Sequence, residues 1–135
     1  MSTWVFHHEA CLAHIPGTGH PESPQRLQVV VEALRQPAFE DLAWHQAPAG
    51  TREQVLLVHR AEYVDAIAAV APSSGLVALD GGDTLMSPGS WEAVMRCVGA
   101  ACAGVDAVLA GEAANVFCAT RPCGHHAEPD AAMGF

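Results

Sequence analysis

Short apolar runs alternate along the chain with segments of helical periodicity, and this alternation restricts the possible folds more than any other feature. Apolar runs typical of buried strands occur at Trp4-Val5-Phe6, Leu42-Ala43-Trp44 and Asn115 to Thr120. Helical patterns separate these runs. Continuous apolar strands that are joined through helices form parallel sheets with helices packed on their faces. The sequence therefore predicts an α/β fold with a mostly parallel sheet flanked by helices.

Capping signals predict where the first helices begin. Ser23 is expected to cap a helix that has Pro24 at its first position, with Leu27 and the following apolar residues on one face. Thr51 followed by Gln54 matches a capping box, and the helix that it opens should carry Val55, Leu56 and Val58. A further helix is predicted from Ala61 to Val70.

The longest predicted helix begins at Ser87-Pro88 or at Ser90 and stops at Gly111. One apolar stripe along it is expected to face the core: Trp91, Val94, Met95, Val98, Cys102, Val105 and Leu109. The preceding segment, Pro72 to Gly89, shows no convincing periodicity and is expected to be a long loop. Long loops in compact domains are usually functional or mobile.

Composition excludes several classes of function. The 135 residues suit one domain, and 15 acidic residues against 6 basic ones, all Arg, give a net charge of −9. A surface this acidic repels phosphate backbones, so a nucleic acid partner is not expected. No apolar run is long enough to span a bilayer, so a membrane partner is not expected either. Five cysteines without a secretory signal at the N-terminus favour reduced thiols and a cytoplasmic location.

The most informative candidate site is Gly124-His125-His126, which follows the last predicted strand. Ligands of parallel sheets bind beyond the carboxyl ends of strands. Two adjacent imidazoles there can act as general base and electrostatic stabiliser, because imidazole titrates near neutral pH. The competing interpretation is an exposed dipeptide without a role.

Other polar residues have structural alternatives that the sequence leaves open. Cys118, Cys123 and the two histidines provide four metal-ligand side chains within nine residues, although structural zinc sites usually combine two separated clusters. A small Cys/His metal-binding or redox protein is therefore an alternative. Arg26 beside the apolar Leu27 is typical of an ion-paired or snorkelling residue, and turn chemistry alone explains the acidic residues of the segment from Asp80 to Thr84. No nucleotide-binding loop, HExxH or GxSxG motif occurs.

Taken together, these segments resemble the zinc-dependent deacetylase superfamily, which includes class II histone deacetylases, bacterial histone-deacetylase-like amidohydrolases and acetylpolyamine amidohydrolases. The resemblance covers nearly the whole chain in a family-like order. Its motifs are His14, His20-Pro-Glu-Ser-Pro-Gln-Arg-Leu27, His59-Arg-Ala-Glu-Tyr63, Asp80-Gly-Gly-Asp-Thr84, Ser87-Pro-Gly-Ser90, Arg121-Pro-Cys-Gly-His-His-Ala127 and Ala131-Ala-Met-Gly-Phe135.

The resemblance implies roles for individual residues. His125 and His126 are similar to the tandem catalytic histidines beside the zinc-bound water. Gly134 and Phe135 are similar to the pair that lines the substrate channel. Asp83 resembles the rim carboxylate that orients the substrate backbone, with Asp80 as the alternative. Arg26 resembles the arginine of the internal channel through which acetate is thought to leave.

The resemblance also implies that part of the domain lies outside this sequence. The family's zinc ligands, an Asp-x-His pair and a later Asp, and its oxyanion-stabilising Tyr all follow the Gly-Phe motif that ends here at Phe135. We therefore expect residues 1–135 to be the N-terminal part of one arginase/deacetylase-type domain that lacks its C-terminal half. Zinc is expected in the longer parent and none in this chain, which should be inactive by itself.

Three expectations concern function and partners. The parent is expected to hydrolyse acetyl amides of the acetyl-lysine or acetylpolyamine type. A non-catalytic binding or assembly module of the same fold is the alternative. The strand from Asn115 to Thr120 is expected to lie inside a larger sheet, so that the isolated chain would form a homo-oligomer through an exposed sheet edge.

Overall fold

The computed structural model describes all residues from Met1 to Phe135, and it alternates strands and helices as the sequence predicts. The strands are β1 (Thr3–His7), β2 (Ala43–Gln46), β3 (Val77–Ala78), β4 (Leu85–Met86) and β5 (Asn115–Ala119). The helices are α1 (Pro24–Leu34), α2 (Arg52–Val55), α3 (Ala61–Ala69) and α4 (Ser90–Leu109), with short 3-10 helices at Glu9–Leu12 and Pro37–Phe39. None of the helices has the length and apolar composition required to cross a bilayer.

The main sheet has three parallel strands in the order β2-β1-β5. Trp4 of the central strand pairs with Ala43 on one side and with Val116 on the other. This arrangement confirms the predicted α/β fold with a parallel sheet flanked by helices. Because β5 is at the edge, its outer backbone groups have no strand partner, and Phe117 on this strand is 48% exposed.

The core lies on both faces of the sheet because neighbouring residues of β1 point in opposite directions. Val5 packs in a buried cluster with Leu27 of α1, while Phe6 packs in a second cluster with Ala100 of α4. α1 and α4 therefore cover opposite faces. The carboxyl end of β5 leads directly into the segment with the paired histidines.

The predicted apolar stripe of α4 does not face the core as expected. Val105 is 59% exposed and Leu109 is 81% exposed. The buried residues of this helix are instead small: Ser90, Ala93, Gly99, Ala100, Gly104 and Ala107. The physical reason is close approach, since a Cβ atom on Gly99 would lie 2.0 Å from the carbonyl oxygen of Pro48. The helix ends as predicted, with Gly111 at a φ of 73° directly after the C-cap residue.

Two other predictions need correction. The segment predicted as a loop contains the antiparallel hairpin of β3 and β4, whose two-residue strands are too short to show periodicity. The capping box of Thr51 and Gln54 is present, but α2 ends at Val55, and Val58 is 66% exposed. Ser23 occupies the N-cap position of α1, as predicted, although its side chain makes no capping hydrogen bond.

Candidate active site

The paired histidines lie on the loop that follows β5. Both side chains are exposed, and the rings of His125 and His126 are 4.2 Å apart at an angle of 51°. A turn in which the amide of Ala127 donates to the carbonyl of Gly124, at 3.1 Å, fixes the backbone around the pair. The two imidazoles are therefore close enough to act on one reacting group.

Arg121 anchors this loop at its start. Its side chain is buried, and its Nη1 donates to the carbonyl oxygens of Cys11 at 2.7 Å and His14 at 2.6 Å. Its Nε and Nη2 donate to the two carboxylate oxygens of Glu22. One guanidinium thus joins the end of β5 to the segment before α1, about 100 residues earlier in the chain.

Glu22 is held in its charged form by this contact. Burial would raise the pKa of its carboxyl group, but the hydrogen bonds from His14 and Arg121, together with the charge of Arg121, lower it to about 2. The Nε2 atom of His14 lies 3.5 Å from Glu22 Oε2, and its Nδ1 atom lies 2.6 Å from Ser90 Oγ. Glu22 therefore links the anchor of the loop to the first residue of α4.

The opposite end of the loop is attached to the start of α3. The amide of Arg60 donates to the carbonyl of Pro129 at 2.8 Å, and its guanidinium lies 3.0 Å from Asp130 Oδ2. The ring of His59 lies 3.0 Å from the carbonyl oxygen of Glu128. The histidine loop is thus held on both sides, which restricts where the two imidazoles can move.

A hydrogen-bonded bridge connects Asp80 to Gly134. Asp80 accepts from the amides of Gly82 and Thr84, each at 2.9 Å, and from the hydroxyl of Thr84 at 2.5 Å. The same hydroxyl accepts from the amide of Gly134 at 2.8 Å. The Thr84 hydroxyl and the backbone amides lower the pKa of the Asp80 carboxyl to about 2. Both carboxylate oxygens of Asp80 are therefore used in hydrogen bonds within the turn.

Asp83 is placed differently. It contacts His20 only through its backbone carbonyl, which lies 3.1 Å from His20 Nε2. Asp83, His126 and Gly134 line one open cavity of ≈ 540 Å³. Asp80, the alternative to Asp83, lines the same cavity, so the structure brings four of the residues chosen from the sequence to one site. The Asp80 carboxylate accepts hydrogen bonds within its own turn, whereas no such bond holds the Asp83 carboxylate.

Phe135 and Arg26 line different cavities. Phe135 packs edge-on against the ring of His14, with centroids 5.1 Å apart, and lines an apolar cavity of ≈ 150 Å³ together with Tyr63 and Cys97. The side chain of Arg26 is 67% exposed, lies 3.7 Å from Glu22 Oε1, and lines a third cavity of ≈ 200 Å³ together with Arg121.

The possible metal ligands do not converge. No group of three or more His, Cys, Asp or Glu side chains is arranged to hold a metal ion. Cys118 packs against the buried cluster of Phe6, whereas Cys123 is exposed, with its Sγ 3.9 Å from the carbonyl oxygen of Gly134. The residues of this chain do not fit a zinc site, either as a Cys/His cluster or otherwise.

Sequence reasoning missed the buried ion pair of Glu22 and Arg121, because residues so distant in sequence give no local pattern. One signal was present: Arg121 comes directly after a buried apolar strand, where a charged side chain requires a partner. The partner of Arg121 is Glu22, which directly precedes the capping residues Ser23 and Pro24.

Comparison with solved structures identifies the class of fold. The chain superimposes on a crystal structure of the HDA15 HD domain with a TM-score of 0.89 and 28% sequence identity, over 99% of this chain and 39% of that one. The parallel sheet and the helices around it are therefore those of a histone deacetylase domain.

Comparison of sequences gives the same assignment. The sequence model of the histone deacetylase domain matches residues 20–135. A histone deacetylase-like amidohydrolase of Pseudomonas aeruginosa is 36% identical over 98% of this chain, and a probable deacetylase of Archaeoglobus fulgidus is 31% identical over 100% of it. The chain belongs to the histone deacetylase family of deacetylase-like amidohydrolases. It spans 39% and 38% of the length of those two relatives.

Proposed function

We propose that residues 1–135 are part of a domain that hydrolyses acetyl amides of the acetyl-lysine or acetylpolyamine type. The observation that carries this proposal is the open cavity that His126, Asp83 and Gly134 line beside the ring of His125. Membership of the histone deacetylase family supports the reaction type. The net charge of −9 favours cationic substrates, and among these two types the acetylpolyamines keep charged amines.

The two histidines would share the proton transfers of hydrolysis. One neutral imidazole takes the proton of the attacking water and later returns it to the leaving amine. The neighbouring ring, 4.2 Å away, stabilises the charges that develop. The turn at Ala127 and the attachments to Arg121 and Arg60 keep the rings in place during these steps.

The remaining residues would position the substrate. The Asp83 carboxylate accepts hydrogen bonds from the substrate at the rim of the cavity, and Gly134 leaves room for its chain because it has no side chain. The family resemblance gives Phe135 the role of an apolar wall for the substrate chain, while its ring lines the separate apolar cavity with Tyr63. Arg26 faces the cavity from which acetate would leave. The roles of Asp83, Gly134 and Arg26 rest on the family resemblance together with the cavity that each residue lines, and the role of Phe135 rests on the resemblance alone.

Family membership implies zinc in the whole protein, but the residues of this chain form no site for it. We therefore propose that the zinc ligands lie outside residues 1–135 and assign no step of the reaction to the metal. It follows that this chain by itself should hold no stoichiometric zinc and should not hydrolyse acetyl amides. We also propose a reducing compartment such as the cytoplasm, because an odd count of five cysteines is not typical of a framework of paired disulfides.

The test is a pair of substitutions in a polypeptide that carries this chain within a complete histone deacetylase domain. His125→Ala and His126→Ala should each lower the turnover of an acetyl-lysine peptide or acetylated polyamine by about 100-fold to 10,000-fold, because a general base is lost. Zinc content, measured by elemental analysis, should remain unchanged.

His45→Gln is the matched control, because this ring stacks on Trp4 at the distant edge of the sheet and should not affect turnover. Near-normal turnover in both alanine variants would contradict the catalytic assignment. Loss of zinc instead would make the histidines ligands. Zinc bound tightly by residues 1–135 alone, and lost on changing Cys118 or Cys123, would favour a small metal-binding protein.

A further inference from the structure

Thr84 lies between two walls of the open cavity at the proposed site. One wall is the turn between β3 and β4, which carries Asp83, and the other is the segment from Ala132 to Gly134. Thr84 is 2% exposed and is not among the residues that line this cavity. Its hydroxyl group accepts from the amide of Gly134 at 2.8 Å. One buried side chain therefore fastens the two walls to each other.

The Thr84 hydroxyl group uses both its proton and a lone pair. It donates to Asp80 Oδ2 at 2.5 Å and accepts from Gly134. A hydroxyl group has one proton to donate and an ionised carboxylate can only accept, so a charged Asp80 fixes these directions. The Thr84 hydroxyl and the backbone amides of Thr84 and Gly82 lower the pKa of Asp80 to about 2, so its carboxylate is charged at neutral pH.

The Asp80 carboxylate also fixes the backbone on either side of Asp83. Its Oδ1 atom accepts from the amide of Gly82, the residue before Asp83, and from the amide of Thr84, the residue after it, each at 2.9 Å. The backbone carbonyl oxygen of Asp83 lies 3.1 Å from His20 Nε2. The backbone that carries the Asp83 carboxylate is thus held before, at and after this residue.

Gly134 depends on Thr84 for its one short hydrogen bond. Its carbonyl oxygen accepts only from Cys123 Sγ, at 3.9 Å, and a thiol is a weak donor. Its φ of 71° lies in the left-handed region, which glycine enters without a steric cost. Loss of the Thr84 hydroxyl group would therefore release Gly134 from the Asp83 turn.

We propose that Thr84 is a positioning residue of the candidate active site, whose hydroxyl group holds the Asp83 turn and Gly134 at the separation that a bound acetyl amide requires. Thr84 lines no part of the cavity, so it acts through Asp83 and Gly134 and not on the substrate. This inference rests on the proposed function, in which those two residues contact the substrate.

The first test measures the bridge in residues 1–135, without any reaction. Thr84→Val keeps the shape of the side chain but removes the acceptor of the Gly134 amide, whose hydrogen exchange, followed by NMR, should become about 10-fold faster. Thr84→Ser keeps the hydroxyl group and should restore slow exchange. The amide of Ala127, which donates to Gly124, is the internal reference and should not change.

Two results of this test would overturn the proposal. One is unchanged exchange at Gly134 in a folded Thr84→Val chain. The other is a Gly134 amide that is already unprotected in the unmodified chain, a result that decides the question even if the variant does not fold.

Thr51→Val is the matched control for a purely structural effect. It removes another hydroxyl group, which accepts from the amide of Gln54 at 3.2 Å in the capping box of α2. Loss of this cap lowers the stability of the chain without touching the bridge, so exchange at Gly134 should match that of the unmodified chain. Equal acceleration at Gly134 in Thr51→Val and Thr84→Val would show a general loss of stability and refute the positioning role.

The second test uses a polypeptide that carries this chain within a complete histone deacetylase domain. Thr84 would position groups that bind the substrate and not the two histidines. Thr84→Val should therefore raise the KM for an acetyl-lysine peptide by about 10-fold and change kcat by less than about 3-fold. Thr84→Ser should restore the original KM, and Thr51→Val should change neither constant. An unchanged KM in Thr84→Val would overturn the proposal, whether or not kcat falls.

A double substitution shows whether the effect passes through Asp83. In an Asp83→Ala background the separation of Asp83 from Gly134 no longer matters, so Thr84→Val should raise the KM by less than about 2-fold. An equal rise in both backgrounds would contradict the proposed route. Failure of the proposed function looks different: the complete domain with Thr84 intact would hydrolyse no acetyl amide, while exchange at Gly134 would still decide whether Thr84 holds the two walls together.

Discussion

At the scale of single residues, the buried guanidinium of Arg121 does more to organise the candidate site than any residue selected from the sequence for its chemistry. Its donors reach two backbone carbonyls and both oxygens of Glu22. Every one of these bonds joins segments that are distant in sequence. The loop of His125 is therefore positioned by a contact whose other half lies before α1.

Removal of the charge of Glu22 tests this ion pair. Glu22→Gln keeps the size of the side chain but leaves a buried guanidinium without a counter-charge, so we expect the free energy of unfolding to fall by about 3–5 kcal/mol. Urea denaturation of residues 1–135 measures it. Glu32→Gln, on the exposed side of α1, is the matched control and should change the value by less than about 0.5 kcal/mol. Equal stability of the two variants would contradict the role of the pair.

The same carboxylate predicts a dependence of stability on pH. Its pKa is lowered from 4.5 to about 2 in the folded chain, so its contribution is fully present above pH 4.5 and is lost as the pH falls toward 2. The difference in unfolding free energy between the unmodified chain and Glu22→Gln should therefore narrow over that range. Asp80 is present in both chains, so its own lowered pKa cancels in the comparison. A difference that stays constant from pH 6 to pH 2 would contradict the assignment.

At the scale of elements, α4 packs closely because its inner face is made of small residues. Gly99 lies against Pro48, and the amide of Gly50 donates to the carbonyl of Met95 on the same helix at 2.7 Å. The larger apolar residues of α4 line cavities or face outward. This helix therefore holds the segment after β2 through backbone contacts more than through large side chains.

The stability of a Gly99→Ala variant tests whether the close packing of α4 on Pro48 outweighs the higher helix propensity of alanine. Alanine favours a helix by about 1 kcal/mol over glycine, but its Cβ would lie 2.0 Å from the carbonyl oxygen of Pro48, so we expect a net loss of about 1–3 kcal/mol. Gly104→Ala is the matched control, because its Cβ would meet the tip of the Val116 side chain at 2.9 Å and only that side chain must shift. Thermal unfolding of both variants gives the comparison, and a Gly99→Ala chain as stable as the original would refute the close approach.

The sequence could predict elements wherever the signal is local. The apolar runs of β1, β2 and β5 and the capping box of Thr51 carry their own evidence. It could not predict the inner face of α4, because a stripe of large residues and a stripe of small ones share the same period, and only the tertiary approach of Pro48 decides between them. The paired histidines could be found from the strand that precedes them. The bridge from Asp80 through Thr84 to Gly134 could not be found, since it depends on contacts between distant segments.

At the scale of the whole molecule, β5 leaves an apolar edge. Its outer backbone groups have no strand partner, and a groove beside it is lined by Val105, Val108 and Leu109 of α4 together with Val116. Phe117 is exposed on the other face of the strand. An edge of this kind pairs readily with another chain. The net charge of −9 opposes association, but salt screens this repulsion, so it acts only over short distances.

We therefore propose that residues 1–135 self-associate through β5, with a symmetric dimer as the simplest form. Sedimentation at micromolar concentration should show the dimer, and Phe117→Lys should shift it to monomer by placing a charge on the edge strand. Leu57→Lys, which changes an equally apolar and 81% exposed residue outside the sheet, is the control and should leave the dimer intact. A well-folded monomer of the unmodified chain would show that this edge needs no partner.

The register of β1 also has a consequence for how the chain is made. Thr3 pairs with Asn115 and His7 with Ala119, so the central strand of the sheet meets one of its two partners only after nearly all of these residues have left the ribosome. Pairing across so long a segment is slow to form, because the chain must close a large loop first. During synthesis β1 can pair with β2 alone, and its other edge stays open to whatever nascent chains or chaperones are nearby. The open edge of β1 therefore stays exposed from the translation of β1 until the translation of β5, and the rate of elongation sets how long this exposure lasts.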